Sequence, residues 1–400
     1  MTVTLLSNIP HYHYLAGALH ENGLLRRYIT SSSLFADQVA PEWLPDYWRL
    51  KLEGRRLPKL PHSLVKQIRL PELLQRGLPR LGLLSGERGN WLNNHLYDKL
   101  AARWVRDSEV LHFVGSVGLY SARQAKTHGA TIVCDVRQEH PAFQRRILEE
   151  EARQFTFPIK VAGWSYEQKV LDELTLADFI FVPSEHARKT YLAEGFAPEQ
   201  LITLAYGVDL QYFSPSPSAA SGFRVLYVGA LTFRKGVQYL LEAFSQARLP
   251  GSELLLVGPV DPAFRPVLAK YEGLFTYHPP APKTKLRDFY NAANVFVLPS
   301  LADSFSLATV EAMACGLPVV ISANTGAADL LTDREDGFVL PIRDVPRLIE
   351  MLCYLFHHRD AREAVGRQAR KTAAAQTWRR YGEQAALIYR HKILTAAVYV

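Results

Sequence analysis

The stretch Asn294–Ala323, NVFVLPSLADSFSLATVEAMACGLPVVISA, decides the fold. It opens with a short apolar run, Val295–Leu298, stopped by Pro299, and after a polar loop predicts a helix over Leu307–Cys315 closed by Gly316 and Pro318. A second apolar run, Val319–Ile321, completes it. Strand, loop, helix, strand is one crossover of a parallel sheet, and such sheets place ligands at the carboxyl ends of their strands. Two acids are fixed on this unit, Asp303 in the loop and Glu311 eight residues later on the helix. The loop between them offers backbone N–H groups near a helix N-terminus, which suits a phosphate or a sugar oxygen. The bland alternative is a generic crossover whose acids are only solvated.

An acid, seven residues and a second acid, followed by AMACGLPVV, resemble the signature of the retaining glycosyltransferases of family 4. That resemblance implies an α/β fold of the GT-B type: two Rossmann-like domains facing a central cleft, with a C-terminal helix crossing back to the first domain. It implies that Asp303 meets the donor sugar, that Glu311 meets the nucleotide ribose, and that Phe305, Ser306 and Leu307 line the donor site. Two positions depart from the pattern: the first acid is usually Glu and here is Asp303, and a usual Gly is here Ser306. The implied activity is transfer of a sugar from a nucleotide-sugar to a sugar, lipid-linked or small-molecule acceptor. Two rivals share these motifs, a GT-B epimerase or hydrolase and a non-catalytic relative that only binds nucleotide-sugar.

The 400 residues are 48% hydrophobic, which implies a soluble globular chain of two domains. No run of eighteen apolar residues offers a membrane span, and MTVTLLSNIPHYHY lacks the basic start and apolar core of a signal peptide. Cys134, Cys315 and Cys353 are odd in number and far apart, so they read as thiols of a reducing compartment and the expected location is the cytoplasm. The formal net charge of +7 is uneven. Between Arg49 and Arg88 lie ten Lys or Arg residues against three acids, with leucines and Trp48 interleaved. An anionic membrane face and a plain solvated face both fit; nucleic acid fits least, since no nucleic-acid-binding signature accompanies the charge.

Val3–Leu6 reads as a first strand, and SNIPHYHY as a loop whose His11 and His13 are ordinary loop histidines. Residues 36–95, rich in Pro, Leu and Arg, predict short helices punctuated by Pro58, Pro61, Pro71 and Pro79. Glu109–Val114 and Ala130–Val136 read as strands around a helix, and RQEHPAF follows. There the resemblance points to His140, with Arg137 as the alternative, as a catalytic group beside the leaving phosphate; the bland reading of His140 is a loop residue before a helix-starting proline. Tyr206, Gly207 and Asp209 sit in a Gly-Val-Asp turn that shapes the hinge. SPSPSAASG, Ser214–Gly222, is the linker, giving domains 1–213 and 222–380, with 381–400 packing back on the first and the crossing starting near Trp378. In the second domain the strand Arg224–Val228 precedes GALTFRKG. A glycine and two adjacent cations after a strand are what a pyrophosphate needs, so Gly229 lets the backbone approach it while Arg234 and Lys235 neutralise it, in both a catalytic and a donor-binding role. Tyr277, His278 and Pro279 fall where the family holds the nucleobase, and Asn324–Ala328 would line the same cleft. No Asp-x-Asp occurs in the chain, so the cations are expected to replace a metal and no cofactor is expected.

Overall fold

The computed structural model describes residues 2–44, 46–77, 86–155, 164–216 and 222–393. The first sheet comprises β1 (Val3–Leu6), β2 (Leu25–Thr30), β3 (Val65–Gln67), β4 (Val110–Val114), β5 (Thr131–Asp135), β6 (Phe179–Val182) and β7 (Leu201–Thr203). Its helices are α1 (Tyr12–Glu21), α2 (Asp46–Glu53), α3 (Leu70–Gly77), α4 (Gly86–Ala101), α5 (Leu119–Lys126), α6 (Pro141–Gln154), α7 (Trp164–Leu176) and α8 (Glu185–Leu192). The second sheet comprises β8 (Phe223–Val228), β9 (Ser252–Val257), β10 (Thr276–His278), β11 (Val295–Leu298), β12 (Val319–Ser322) and β13 (Phe338–Leu340). With it run α9 (Val237–Ala247), α10 (Arg265–Lys270), α11 (Lys283–Asn291), α12 (Leu307–Ala314), α13 (Val345–His357) and α14 (Arg359–Ala375). Last comes α15 (Trp378–Ile388), which runs on into a π turn, Tyr389–Ile393.

Every strand pairing is parallel, in the orders β3-β2-β1-β4-β5-β6-β7 and β10-β9-β8-β11-β12-β13. The central strands are continuous apolar runs because helices cover both faces: β1, β4, β11 and β12 are buried at every position. In each sheet the order reverses beside the first strand, between β1 and β4 and between β8 and β11. The chain leaves these strands in opposite directions there, which opens a crevice at their carboxyl ends.

The decisive stretch folds as read, with β11 and β12 flanking α12. β2 escaped the reading because Arg26 and Arg27 interrupt its apolar pattern; both reach Asp107, at 2.7 and 2.8 Å, at the strand's amino end. Their hydrogen bonds, that of Arg27 foremost, hold the Asp107 carboxyl well below its ordinary range. The short-helix expectation for 36–95 meets α2 and α3, but also the strand β3 and the start of the sixteen-residue α4. Pro79 and residues 217–221 of the expected linker lie outside the described residues.

The chain crosses back where residues 205–208 meet 376–378. Gln376 Nε2 donates to the Ala205 and Tyr206 carbonyls at 3.1 and 3.0 Å, and Val208 N donates to Gln376 O at 2.9 Å. A Cβ on Gly207 would stand 2.2 Å from the Trp378 nitrogen, so only glycine permits this crossing. Beyond it α15 packs on α1, close enough that a Cβ on Gly382 would lie 2.5 Å from Ala18 Cβ. Tyr389 OH meets the buried His112 Nδ1 at 2.5 Å.

Candidate active site

The second-domain half of the site is built by two loops locked together. After β8 the chain passes Gly229 and enters a 3₁₀ turn, Phe233–Lys235, capped by Thr232 Oγ1 on the Lys235 N–H. Gly236 ends the turn at φ 69°, and a Cβ there would fall 1.9 Å from the Pro299 carbonyl oxygen. Glycine therefore lets the turn lie directly on the loop that follows β11. Leu301 N donates to Arg234 O at 2.9 Å, and Arg234 Nη1 donates to Ala302 O at 2.6 Å. Lys235 Nζ donates to Asp303 Oδ2, an ion pair whose side chains are 14% and 12% exposed. Burial alone would raise the Asp303 carboxyl, but Lys235 and Arg234 outweigh it and hold the group below its ordinary value. Burial and the Arg234 charge lower Lys235, against the pull of Asp303.

The acid loop is pinned at each end. Asp303 N donates to Asn324 O at 2.9 Å, and Gly326 N donates to Asp303 O at 2.7 Å. Phe305 packs on Tyr206 at 5.4 Å between ring centres. Ser306 caps α12, its Oγ accepting from Thr309 N at 3.3 Å, while its backbone sits at φ 71°. One turn into α12, Glu311 accepts from Tyr290 OH at 3.0 Å. Burial pushes its carboxyl up to about 7, against the Tyr290 hydrogen bond and the Lys283 charge. Tyr277 and His278 stand at the carboxyl end of the edge strand β10, Tyr277 OH donating to Gly258 O at 3.0 Å and His278 packed on Phe289.

Opposite stands the carboxyl edge of the first sheet. Ser304 Oγ donates to Arg137 O at 2.5 Å and Ser184 Oγ donates to Ser304 O at 2.6 Å, so the acid loop is tied to the other domain. His11, at the start of α1, stacks on Trp378 at 5.6 Å and lies against Tyr206 at 5.3 Å. Burial, then the Arg137 charge, lowers it to about 3, so it stands neutral. The fold thus brings Arg234, Lys235, Asp303, Phe305 and Ser306 together and turns Arg137 and His11 toward the same cleft. His140 is elsewhere. Its Nδ1 accepts from Ala142 N at 3.2 Å as the cap of α6, its N–H goes to Thr190, and its ring packs on Tyr191 and Phe196. Its position is the helix start that the His-Pro sequence describes, with contacts inside the first domain. His11, Lys283 and Glu139 were not read as site residues; for His11 the signal available was its place just beyond the carboxyl end of the strand at the order reversal. Among the described residues no group of three or more His, Cys, Asp or Glu could hold a metal ion.

Residues 222–358 match the family described as glycosyl transferases group 1. The second domain belongs to that family. This group 1 glycosyltransferase domain includes both the cation turn and the acid loop. Among curated proteins the chain is 32% identical over 194 residues to a D-inositol 3-phosphate glycosyltransferase of Mycobacteroides abscessus, covering 44% of this chain and 43% of that one. It is 29% identical to a sulfoquinovosyl transferase of Arabidopsis thaliana, over 51% of this chain and 42% of the other. The chain spans about half the length of the curated relatives it matches. Over almost its whole length it shares its fold with sucrose-phosphate synthase from Thermosynechococcus elongatus, at TM-score 0.66 and 22% identity over 99% of this chain and 100% of that one. It does so too with Anabaena HepE in complex with UDP and glucose, at 0.67 and 16% over 98% and 99%. The architecture is therefore GT-B: two Rossmann-like α/β domains on parallel sheets. Among the described residues no helix is long and apolar enough to cross a membrane.

Proposed function

We propose that the protein is a retaining glycosyltransferase that moves a sugar from a nucleotide-sugar to an acceptor hydroxyl and needs no metal. One observation carries the reading: the Arg234–Lys235 turn is joined to the Asp303 loop at the carboxyl end of β11, facing the first domain. As the anomeric C–O bond breaks, negative charge grows on the departing diphosphate. Arg234, Lys235 and the N–H groups at the start of α12 can offset that charge without a cation from solution. The ion pair to Asp303 keeps Lys235 in place before the donor arrives, and the carboxylate is free to accept from the sugar hydroxyls once the diphosphate takes the ammonium. Glu311 would accept from both ribose hydroxyls, with Tyr277 and His278 flanking the base. Attack from the face the diphosphate leaves, with a phosphate oxygen taking the acceptor's proton, forms the new bond with retention.

The test is incubation with a nucleotide-sugar panel, reading nucleoside diphosphate release and the anomeric configuration of the product. The UDP in the HepE structure makes a uridine donor the first to try. A glycoside with the donor's configuration, formed at the same rate with a chelator, is the expected result. Free sugar or an epimer without glycoside would make the protein a hydrolase or epimerase, and tight donor binding without turnover a binding protein. We further propose that the enzyme works at an anionic membrane face, supported by exposed leucines on α3 beside basic residues.

A further inference from the structure

Glu311 meets the cleft with one hydrogen bond already made. Its Oε2 accepts from Tyr290 OH at 3.0 Å, and among the described residues nothing else donates to its side chain. Glu311 is half-buried and Tyr290 wholly buried. The phenol ring is packed from two sides, edge-on to Phe213 at 5.8 Å and tilted on Phe296 of β11 at 6.1 Å. Behind it the segment that joins the domains is pinned. Arg370 Nη1 of α14 donates to Phe213 O at 3.0 Å, while the Asn291 side chain donates to Ser214 O at 3.1 Å and accepts from Ser216 N at 2.7 Å. A ring so enclosed has no room to swing, and its hydroxyl stays against the one acid beside it.

That bond decides what kind of group the cleft meets. Burial favours the uncharged carboxyl of Glu311. The Tyr290 hydrogen bond is the larger of two influences that favour the carboxylate, the Lys283 charge at the start of α11 being the other. A protonated carboxyl spends one oxygen as a donor, whereas a carboxylate accepts at both. Tyr290 itself remains a donor, because burial and then the Glu311 charge raise its phenol well above the ordinary value. The other neighbours leave it this task. On α12 the Cys315 thiol, which burial and then Glu311 push up to about 12, stays uncharged. From α14, Arg370 is engaged by the carbonyls of Phe213 and Ala314. Asp329, in the turn Gly326–Leu330 packed on α12, accepts from the Glu185 N–H of the first domain at 2.6 Å. The strands β11 and β12 present no titratable side chain. Resting on the transferase reading above, we propose that Tyr290 is a positioning residue for the donor: it touches no substrate itself, but aims the Glu311 carboxylate at the ribose and holds it in the form that accepts from both hydroxyls.

Calorimetry across pH tests this, with UDP, GDP, ADP and CDP on the full chain and on Tyr290→Phe, which keeps the ring and removes only the hydroxyl. The unaltered protein should bind at least one of them, and more tightly as pH rises through about 7. In Tyr290→Phe that rise should move up by about one unit or more, so that the variant binds about ten-fold more weakly at about pH 6 and within about three-fold of the unaltered protein at about pH 9. Recovery at high pH also shows that the variant is folded. The 2′,3′-dideoxy form of the same nucleotide should bind both proteins with one pH profile, and in a Glu311→Gln background Tyr290→Phe should displace nothing. A loss equal at every pH, as a packing role alone would give, or no loss at all, overturns the proposal and leaves the transferase reading in place. The same displacement with the dideoxy nucleotide, or in the Glu311→Gln background, does so too. Failure of the unaltered protein to bind any of the four nucleotides overturns both.

Discussion

Lys235 and Asp303 stand 68 residues apart in the chain and meet as an ion pair in which neither side chain is more than 14% exposed. Their neighbour Arg234 is the residue to change first, because its guanidinium both props the Ala302 carbonyl and adds charge beside the pair. If it offsets the leaving diphosphate, Arg234→Ala should lower turnover about ten- to a thousand-fold. Steady-state kinetics on the folded variant decide it, and unchanged turnover removes Arg234 from the mechanism. Glu311 makes a separate prediction. Burial raises its carboxyl to about 7, so near neutral pH part of the free protein carries a proton there. A raised carboxyl favours the protonated fold at low pH and loses that advantage as pH climbs through about 7. Ribose hydroxyls need the ionised form, so donor binding should expel the proton. Calorimetry in buffers of different ionisation enthalpy should show this release for the unaltered protein and not for Glu311→Gln. Glu311→Ala should raise the nucleoside diphosphate dissociation constant about ten-fold or more. These residues were legible because each lies in a short linear pattern beside a strand end. Glu139, Lys283 and His11 were not, since only the packing of separate elements gives them a common cleft. His140 misled for the converse reason: a histidine before a proline is equally well the cap of a helix, and the ring's contacts make it one.

Among the elements, α12 shows what a family departure costs. Its cap residue, Ser306, sits at φ 71° and ψ 85°, a conformation natural to glycine and strained for serine. The hydroxyl compensates through Thr309, bonding both its N–H and, at 2.8 Å, its Oγ1. Ser306→Ala keeps the strain and loses the cap, and should cost about 1 kcal/mol in urea unfolding; Ser306→Gly loses both and should fall within a few tenths of the parent. Equal losses would mean that the hydrogen bonds, and not the backbone, decide the position. Other elements were read from sequence according to how plainly they alternate or repeat. β11, α12 and β12 are bounded by Pro and Gly and were placed to within a residue or so. β2 was hidden by two arginines whose partner, Asp107, is 80 residues away. The start of α4 lies in a proline-dense region where local punctuation says little about the long helix that follows.

At the scale of the molecule the two domains are fastened on both sides of the cleft. Beside the Ser304 bonds, the buried Glu151 of α6 accepts from Tyr239 OH at 2.9 Å, Gln238 Nε2 at 3.0 Å and Arg343 Nε at 2.5 Å, all from the second domain. The basic stretch 49–88 belongs to the first domain. There the structure subtracts some of the charge the sequence displays. Arg55 pairs with Glu72 at 2.6 Å, and Arg56 serves Glu53 and the carbonyls of Phe35, Ala36 and Gln38. What it adds is apolar surface: Leu70, Leu73 and Leu74 on α3 are 52%, 65% and 37% exposed, and Val39 and Trp43 are each 81% exposed. The side chains of Lys51, Arg76, Arg80 and Arg88 lie outside the described residues. Lys59 and Arg69 are exposed and Lys66 half-buried, all within eleven residues of Leu70 in the chain, and a cation near an anionic surface is worth about 1 kcal/mol of attraction. Apolar insertion and basic attraction together give binding that depends on both lipid charge and salt. Flotation with anionic vesicles should carry the protein at low salt, progressively less as salt rises, and Leu70→Ser with Leu73→Ser should weaken it further. Neutral vesicles should leave it behind. Equal absence from anionic and neutral vesicles at low salt would mean that these leucines and cations are a solvated face, and that the acceptor comes to the cleft from solution.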